Sequence, residues 1–281
     1  MISIFSRRSL FKRVSAIFPV IRLPVGALRF ELQNKDGFAL PVNDIFPTQP
    51  PELVREVVTV SHFDLKRVRE LVDARPSLAR AAWDWGFGDW ETALGAASHM
   101  GNRPIAEYLI AKGAPPSLFS AAMLGQLELV KAFVATQPHV QRIRGPHSIS
   151  LLAHAKFGGE AARPVFEFLQ SLGDADPESP VSLSDKEIVA LAGTYVFGVG
   201  SSQQIDVTVD QRQGVASMYS PLTWTRKGTM GRPLVHLGER SFYPAGAPSV
   251  RIRFNEDRDG VLMTVNDPEL VLTARRKEEA K

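Results

Sequence analysis

The chain has 281 residues, a net charge of +3, 44% hydrophobic and 22% charged residues, and no cysteine. That length accommodates one large domain or two modest ones, each with its own core. Disulfides, thiolate metal sites and thiol nucleophiles are excluded. The small charge, much of it at the two ends, is not the basic stripe with interleaved aromatics that a nucleic-acid surface requires.

Residues 1–30 place a basic stretch ahead of a mostly apolar run, 14–27, that is interrupted by Pro19, Arg22 and Pro24. It is too short and too broken for a stable membrane span. The segment "SRRSLFK" (6–12), with its pair Arg7 and Arg8, resembles the twin-arginine export signal, and Ala27 offers a cleavage point. The resemblance implies a folded protein delivered to the periplasm. The alternative is a basic amphipathic tail on a cytoplasmic protein. Residues 31–49 read as a linker.

From about residue 50 to 176 one unit recurs. Four second helices end in apolar couples: "VRELV" (68–72), "IAEYLI" (105–110), "LVKAFV" (129–134) and "VFEFLQ" (165–170), with Gly101, Gly125 and Gly159 at the breaks. In residues 91–115, Thr92, Leu94, Ala97, Gly101, Ile105, Leu109, Gly113 and Ala114 fall in a register that resembles the ankyrin repeat. The next copy keeps Leu118, Ala121, Ala122, Gly125, Leu129, Val130, Phe133 and Val134. Small first-helix residues let neighbouring units approach, and the larger second-helix residues fill the core between units. An α-solenoid of about four helix pairs is expected, an unrelated helical bundle being the alternative. Ala93 and Gly95 stand where the family has Pro and His, so its loop-tying hydrogen-bond network is missing. Only the gap before residue 92 and the loop 141–150 leave room for a projecting hairpin.

That gap holds "WDWGFGDWETAL" (83–94), with three of the four tryptophans. Gly86, Gly88 and Asp89 supply turn chemistry. Asp84 and Asp89 read as turn or cap residues rather than as cation ligands. Trp90 is expected to pack back on the array, and Trp83 and Trp85 to share one face of an extended arm, either packed or partner-facing. Trp, Tyr and Arg dominate interface hot spots. The partner-binding candidates are therefore Trp83, Trp85, Phe87 and Trp90, then Arg142, Arg144 and His147 on the second loop.

Residues 177–190 read as a linker and a short helix opened by the capping box Ser184/Glu187. From 191 to 277 the period changes to two, as in "SVRIRFN" and "GVLMTVN", which predicts an antiparallel meander or small barrel. "LAGTYVFG" (191–198), "PLVHLGERSFYPAG" and "VRIRFNEDRDGVLMTVNDPELVLTARR" resemble a small lipocalin-like β domain appended to periplasmic β-lactamase-like hydrolases. The resemblance implies a fold and an exported setting but no activity, and another kind of all-β module is the alternative. Tyr195, Phe197, Tyr219 and Trp224 would either line a site for a small apolar ligand or fill the barrel.

No constellation carries catalysis. The one Ser-x-x-Lys, Ser9 to Lys12, lies ahead of any fold, and His62, His99, His139, His147, His154 and His236 form no zinc motif. His99 and His154 read as structural. No metal, cofactor or catalytic residue is expected. The sequence thus points to an α+β protein of two domains. Its expected role is that of a non-enzymatic, exported scaffold for an unknown protein partner, without nucleic acid. The alternative is a carrier of a small apolar ligand in the β domain; an enzyme using the cleft between the domains is the remaining option.

Overall fold

The computed structural model describes residues 44–176, 181–197, 204–209, 221–226, 229, 231–267 and 270–277. Arg7, Arg8 and Tyr219 lie outside them. The fold is α+β, helices first and an antiparallel curled sheet after. Both parts belong to one compact unit, Thr48–Lys281.

Eight helices come as pairs: α1 (Pro51–Val60) with α2 (Leu65–Ala74), α3 (Ala93–His99) with α4 (Arg103–Ala111), α5 (Leu118–Met123) with α6 (Leu127–Thr136), and α7 (Leu151–Phe157) with α8 (Arg163–Ser171). Local chemistry sets their starts. Asp64, Thr92, Ser117 and Ser150 accept a backbone N–H of the first turn with their side chains, and α1, α4 and α8 carry proline at their first or second position. Gly101 and Gly125 take left-handed φ of 67° and 77° at the breaks. A Cβ there would overlap the carbonyl oxygens of Phe157 and Ala161, so glycine serves both conformation and close approach.

First helices stack on first helices, α1 on α3, α3 on α5 and α5 on α7, across fully buried Ala93, Ala96, Ala97, Ala121, Ala122 and Ala155. Contact of α3 with α7 as well makes this row tighter than a strict nearest-neighbour stack. Second helices bury Val68 and Val72, Ile105 and Leu109, and Val165 and Leu169. In α6 the expected core couple is only partly inside. Val130 is buried, whereas Leu129 and Phe133 are 43% and 39% exposed. The core-facing stripe is Val130 with half-buried Val134, and each preceding residue sits roughly 100° around the helix.

Both places with room for a projection carry one. β1 (Ala82–Asp84) and β2 (Trp90–Thr92) form an antiparallel hairpin, and Arg144 bridges Ser150 across the second loop.

After α9 (Asp185–Leu191) come β3 (Gly193–Phe197), β4 (Gln204–Val209), β5 (Leu222–Arg226), β6 (Arg232–Gly238), β7 (Ser241–Pro244), β8 (Arg251–Asp257), β9 (Gly260–Asp267) and β10 (Leu270–Arg276). Each is antiparallel to the next, and β10 pairs with β3 to close the ring. Alternation sorts inside from outside: Ile252 and Phe254 are buried while Arg251, Arg253 and Asn255 are exposed. The interior fills itself with Tyr195, Phe242 and Phe254, their rings 5.5–5.6 Å apart in sequence of contact. Helix α9 covers one end, where the Tyr195 hydroxyl donates to the Leu191 carbonyl at 2.9 Å. At the other end Phe197 and Trp224 border a largely apolar cleft of about 240 Å³. Among the described residues no helix is long and apolar enough to cross a membrane.

Candidate functional site where the hairpins meet the barrel

The first hairpin turns through Gly86, Phe87 and Gly88 at φ of 109°, 59° and 77°. The turn is braced by Asp84, whose carboxylate accepts the Gly86 N–H at 2.8 Å. It delivers Phe87 onto Trp224 at the open end of the barrel, ring centroids 5.3 Å apart. Trp83 and Trp85 pack, half-buried, on the helical core. Trp90 does not pack back on the array: it is 64% exposed. The register pairs Trp83 with Glu91 and Asp84 with Trp90. Directly paired residues share a face, so the face that buries Trp83 also buries Glu91 and turns Trp90 outward.

The second loop carries His147 and Ser148 in left-handed conformations, φ 58° and 60°. This brings the His147 backbone N–H and Nδ1 to 2.9 and 2.7 Å from the two oxygens of Asp89. Asp89 also accepts from Arg232 Nη1 of β6, which donates in addition to the Ala245 carbonyl at 3.0 Å. The Gly246 N–H donates to Ser148 Oγ at 2.7 Å. Arg142 pairs with Asp174, and Arg144 with Asp176 and the Ser148 carbonyl. Of the partner-binding candidates, Phe87 and His147 are thus spent on joining hairpins to barrel, Trp83 and Trp85 on the helical core, and the two arginines on ion pairs within the chain. Trp90 projects into solvent.

Behind this joint lies a cluster that sequence spacing did not link. Glu91, fully buried, receives the Trp85 indole N–H on Oε2 at 2.7 Å. Its carboxylate faces Nε2 of His99 at 2.7 Å, of His147 at 3.4 Å and of His62 at 3.5 Å. One donor atom from each of His62, Glu91, His99 and His147 lies within 4.8 Å of all the others. Their Nδ1 atoms differ. That of His62 lies 2.9 Å from the Thr59 carbonyl, that of His147 lies against Asp89, and that of His99 is buried without a hydrogen-bond partner. His154 stands behind His99, ring centroids 6.4 Å apart, with Nδ1 on the Ser150 carbonyl.

Charge and burial compete here. Burial pushes Glu91 up, but hydrogen bonds from His147 and His99 hold it well below the usual carboxylate range. Asp89 is likewise lowered, the bonds and charges of His147 and Arg232 outweighing burial. Burial alone would lower His147, yet its two carboxylate partners push it up to about 9. Burial wins at His99, which is lowered, and at His154, which falls to about 4. Without any ion, His147 and Arg232 therefore balance Asp89 and Glu91. The donor set can equally hold a metal ion, and Glu91 and Asp89 have their oxygens engaged within the chain. No family model matches the chain, and no curated protein or solved structure gives a significant match.

Proposed function

We propose that the chain is a non-enzymatic binding scaffold, its ankyrin-like helix pairs holding a protein partner and its lipocalin-like barrel fastened to them by the two hairpins. The observation that carries this reading is the second apolar stripe of α6. Leu129 and Phe133, one turn apart, stay open to solvent while Val130 serves the core, and exposed apolar side chains grouped on one helix face mark interaction surfaces. The ankyrin-like reading draws support from the stacked first helices and the glycine breaks. The non-enzymatic reading draws support from Asp89 and Glu91, whose oxygens are engaged within the chain.

The test is affinity capture from the native host with wild type and with Leu129→Asp/Phe133→Asp, melting temperature measured on each. Loss of a partner with an almost unchanged melting temperature is the expected result. Equal capture by both proteins overturns the assignment of the surface. Export rests on the resemblance of residues 6–12 and is tested by fractionating cells that carry Arg7→Lys/Arg8→Lys. A second reading, a small apolar ligand in the barrel mouth, is favoured by the cleft beside Trp224, whose indole nitrogen is buried without a hydrogen-bond partner. Native mass spectrometry of the purified protein decides it.

A further inference from the structure

We propose that His62, Glu91, His99 and His147 bind one divalent first-row transition ion, zinc by preference, as a structural clasp across the helical half. The inference goes beyond the scaffold reading and does not depend on it.

Geometry comes first. A four-coordinate zinc site has ligand bonds of about 2.0–2.1 Å, which places neighbouring ligand atoms roughly 3.3–3.4 Å apart. Glu91 Oε1 to His147 Nε2 is 3.4 Å, and the four ligand atoms, one from each residue, lie within 4.8 Å of one another, a spread that a small inward shift of the rings brings to that spacing. The His99 to Glu91 separation of 2.7 Å is a hydrogen bond that opens slightly when an ion takes the proton's place. The donors are three imidazoles and a carboxylate. That set suits zinc and its neighbours in the row, and the lack of cysteine removes any competing thiolate site.

The ring orientations agree. A carbonyl oxygen can only accept, so His62 Nδ1, held against the Thr59 and Val58 carbonyls, carries a hydrogen. The same holds for His147 Nδ1 against the Asp89 carboxylate. With Nδ1 so engaged, Nε2 of both rings is the atom turned toward the Glu91 carboxylate. Metal-bound histidines characteristically donate their other nitrogen to a carbonyl or carboxylate, which sets tautomer and ring direction. Trp85 does the corresponding service for Glu91 by holding Oε2.

The ligands also come from separate pieces of chain: the turn after α1, strand β2, the last turn of α3 and the second loop. An ion there ties both hairpins to the first two helix pairs, where the ankyrin-type loop network is missing. His62 and His147 are partly exposed and form the solvent-side rim, and Glu91 and His99, both buried, form the floor.

The test uses the full, untagged chain, stripped with chelator and titrated with zinc chloride by calorimetry, and with cobalt chloride by visible absorption. The expected result is one ion per chain with sub-micromolar affinity and the intense cobalt bands of a four-coordinate site. His62→Ala, at the solvent-side rim, is expected to weaken binding at least tenfold with unchanged circular dichroism, and Glu91→Gln at least a hundredfold. Asp89→Asn is expected to weaken it 10–100-fold through His147. His139→Ala, outside the cluster, is expected to bind as wild type. Absence of stoichiometric binding at micromolar zinc overturns the proposal, as does a folded His62→Ala protein that binds like wild type.

Discussion

Asp89→Ala tests whether the hairpin–barrel joint rests on a buried ion pair. Asp89 is 2% exposed and the Arg232 side chain is comparably buried. Removing the carboxylate leaves Arg232 with the Ala245 carbonyl alone and strands the His147 backbone N–H. Breaking a buried pair from one side costs about 3–5 kcal/mol, because an uncompensated charge stays inside. For a unit of this size each kcal/mol moves the melting temperature by about 2–4 °C, so a fall of about 6–20 °C is expected. Arg232→Met removes the charge but leaves Asp89 its two donors from His147, and should cost less, about 1.5–3 kcal/mol. The double variant should be less damaged than the two single losses combined, with a coupling of about 2 kcal/mol. Urea unfolding at pH 7 with chelator present measures all four proteins. Because the pair is shielded from solvent, 1 M salt should leave the coupling nearly unchanged. Additive single effects, or an Asp89→Ala protein within about 0.5 kcal/mol of wild type, would falsify the claim that this pair holds the joint.

Four further substitutions probe other features. Gly246 has φ of 89°, and a Cβ there would overlap the Asp89 carboxylate; Gly246→Ala should therefore reproduce most of the Asp89→Ala loss and add about 1–2 kcal/mol of backbone cost, measured in the same urea series. Trp85→Ala should cost about 2–4 kcal/mol through lost packing and the lost bond to Glu91, whereas Trp90→Ala should stay within about 0.5 kcal/mol; the reverse order would place the wrong indole inside. On the barrel, Asp257 is lowered to about 2, chiefly by hydrogen bonds from Arg275. A carboxyl with a depressed folded value stabilises above its unfolded pKa of about 3.9 and loses that contribution as pH falls through the folded value. The small melting-temperature gap between wild type and Asp257→Asn should be widest above pH 4 and closed below pH 2.

What depends on neighbours along the chain is legible in the order of residues alone. The caps at Thr92, Ser117 and Ser184, the helix-ending glycines and the change of period after residue 191 are local, and each helix or strand follows from residues within a few positions. The two gaps with room for hairpins were legible for the same reason. Where those hairpins go and what their faces meet follows from contacts between distant segments. Apolar character argued for Trp90 inside, but the β1–β2 register puts Trp83 and Glu91 on one face, and Glu91 finds Trp85, His99 and His147 there. A buried carboxylate is tolerable only with such partners, and they come from residues 85, 99 and 147, at no spacing that a motif could register. The second loop read as partner-binding for its Arg and His content. The fold directs His147 to Asp89 and Ser148 to Gly246, because a barrel placed against the helices needs polar groups to meet its rim. Side-chain period finds a surface; only the docked chain shows which charges that surface must satisfy.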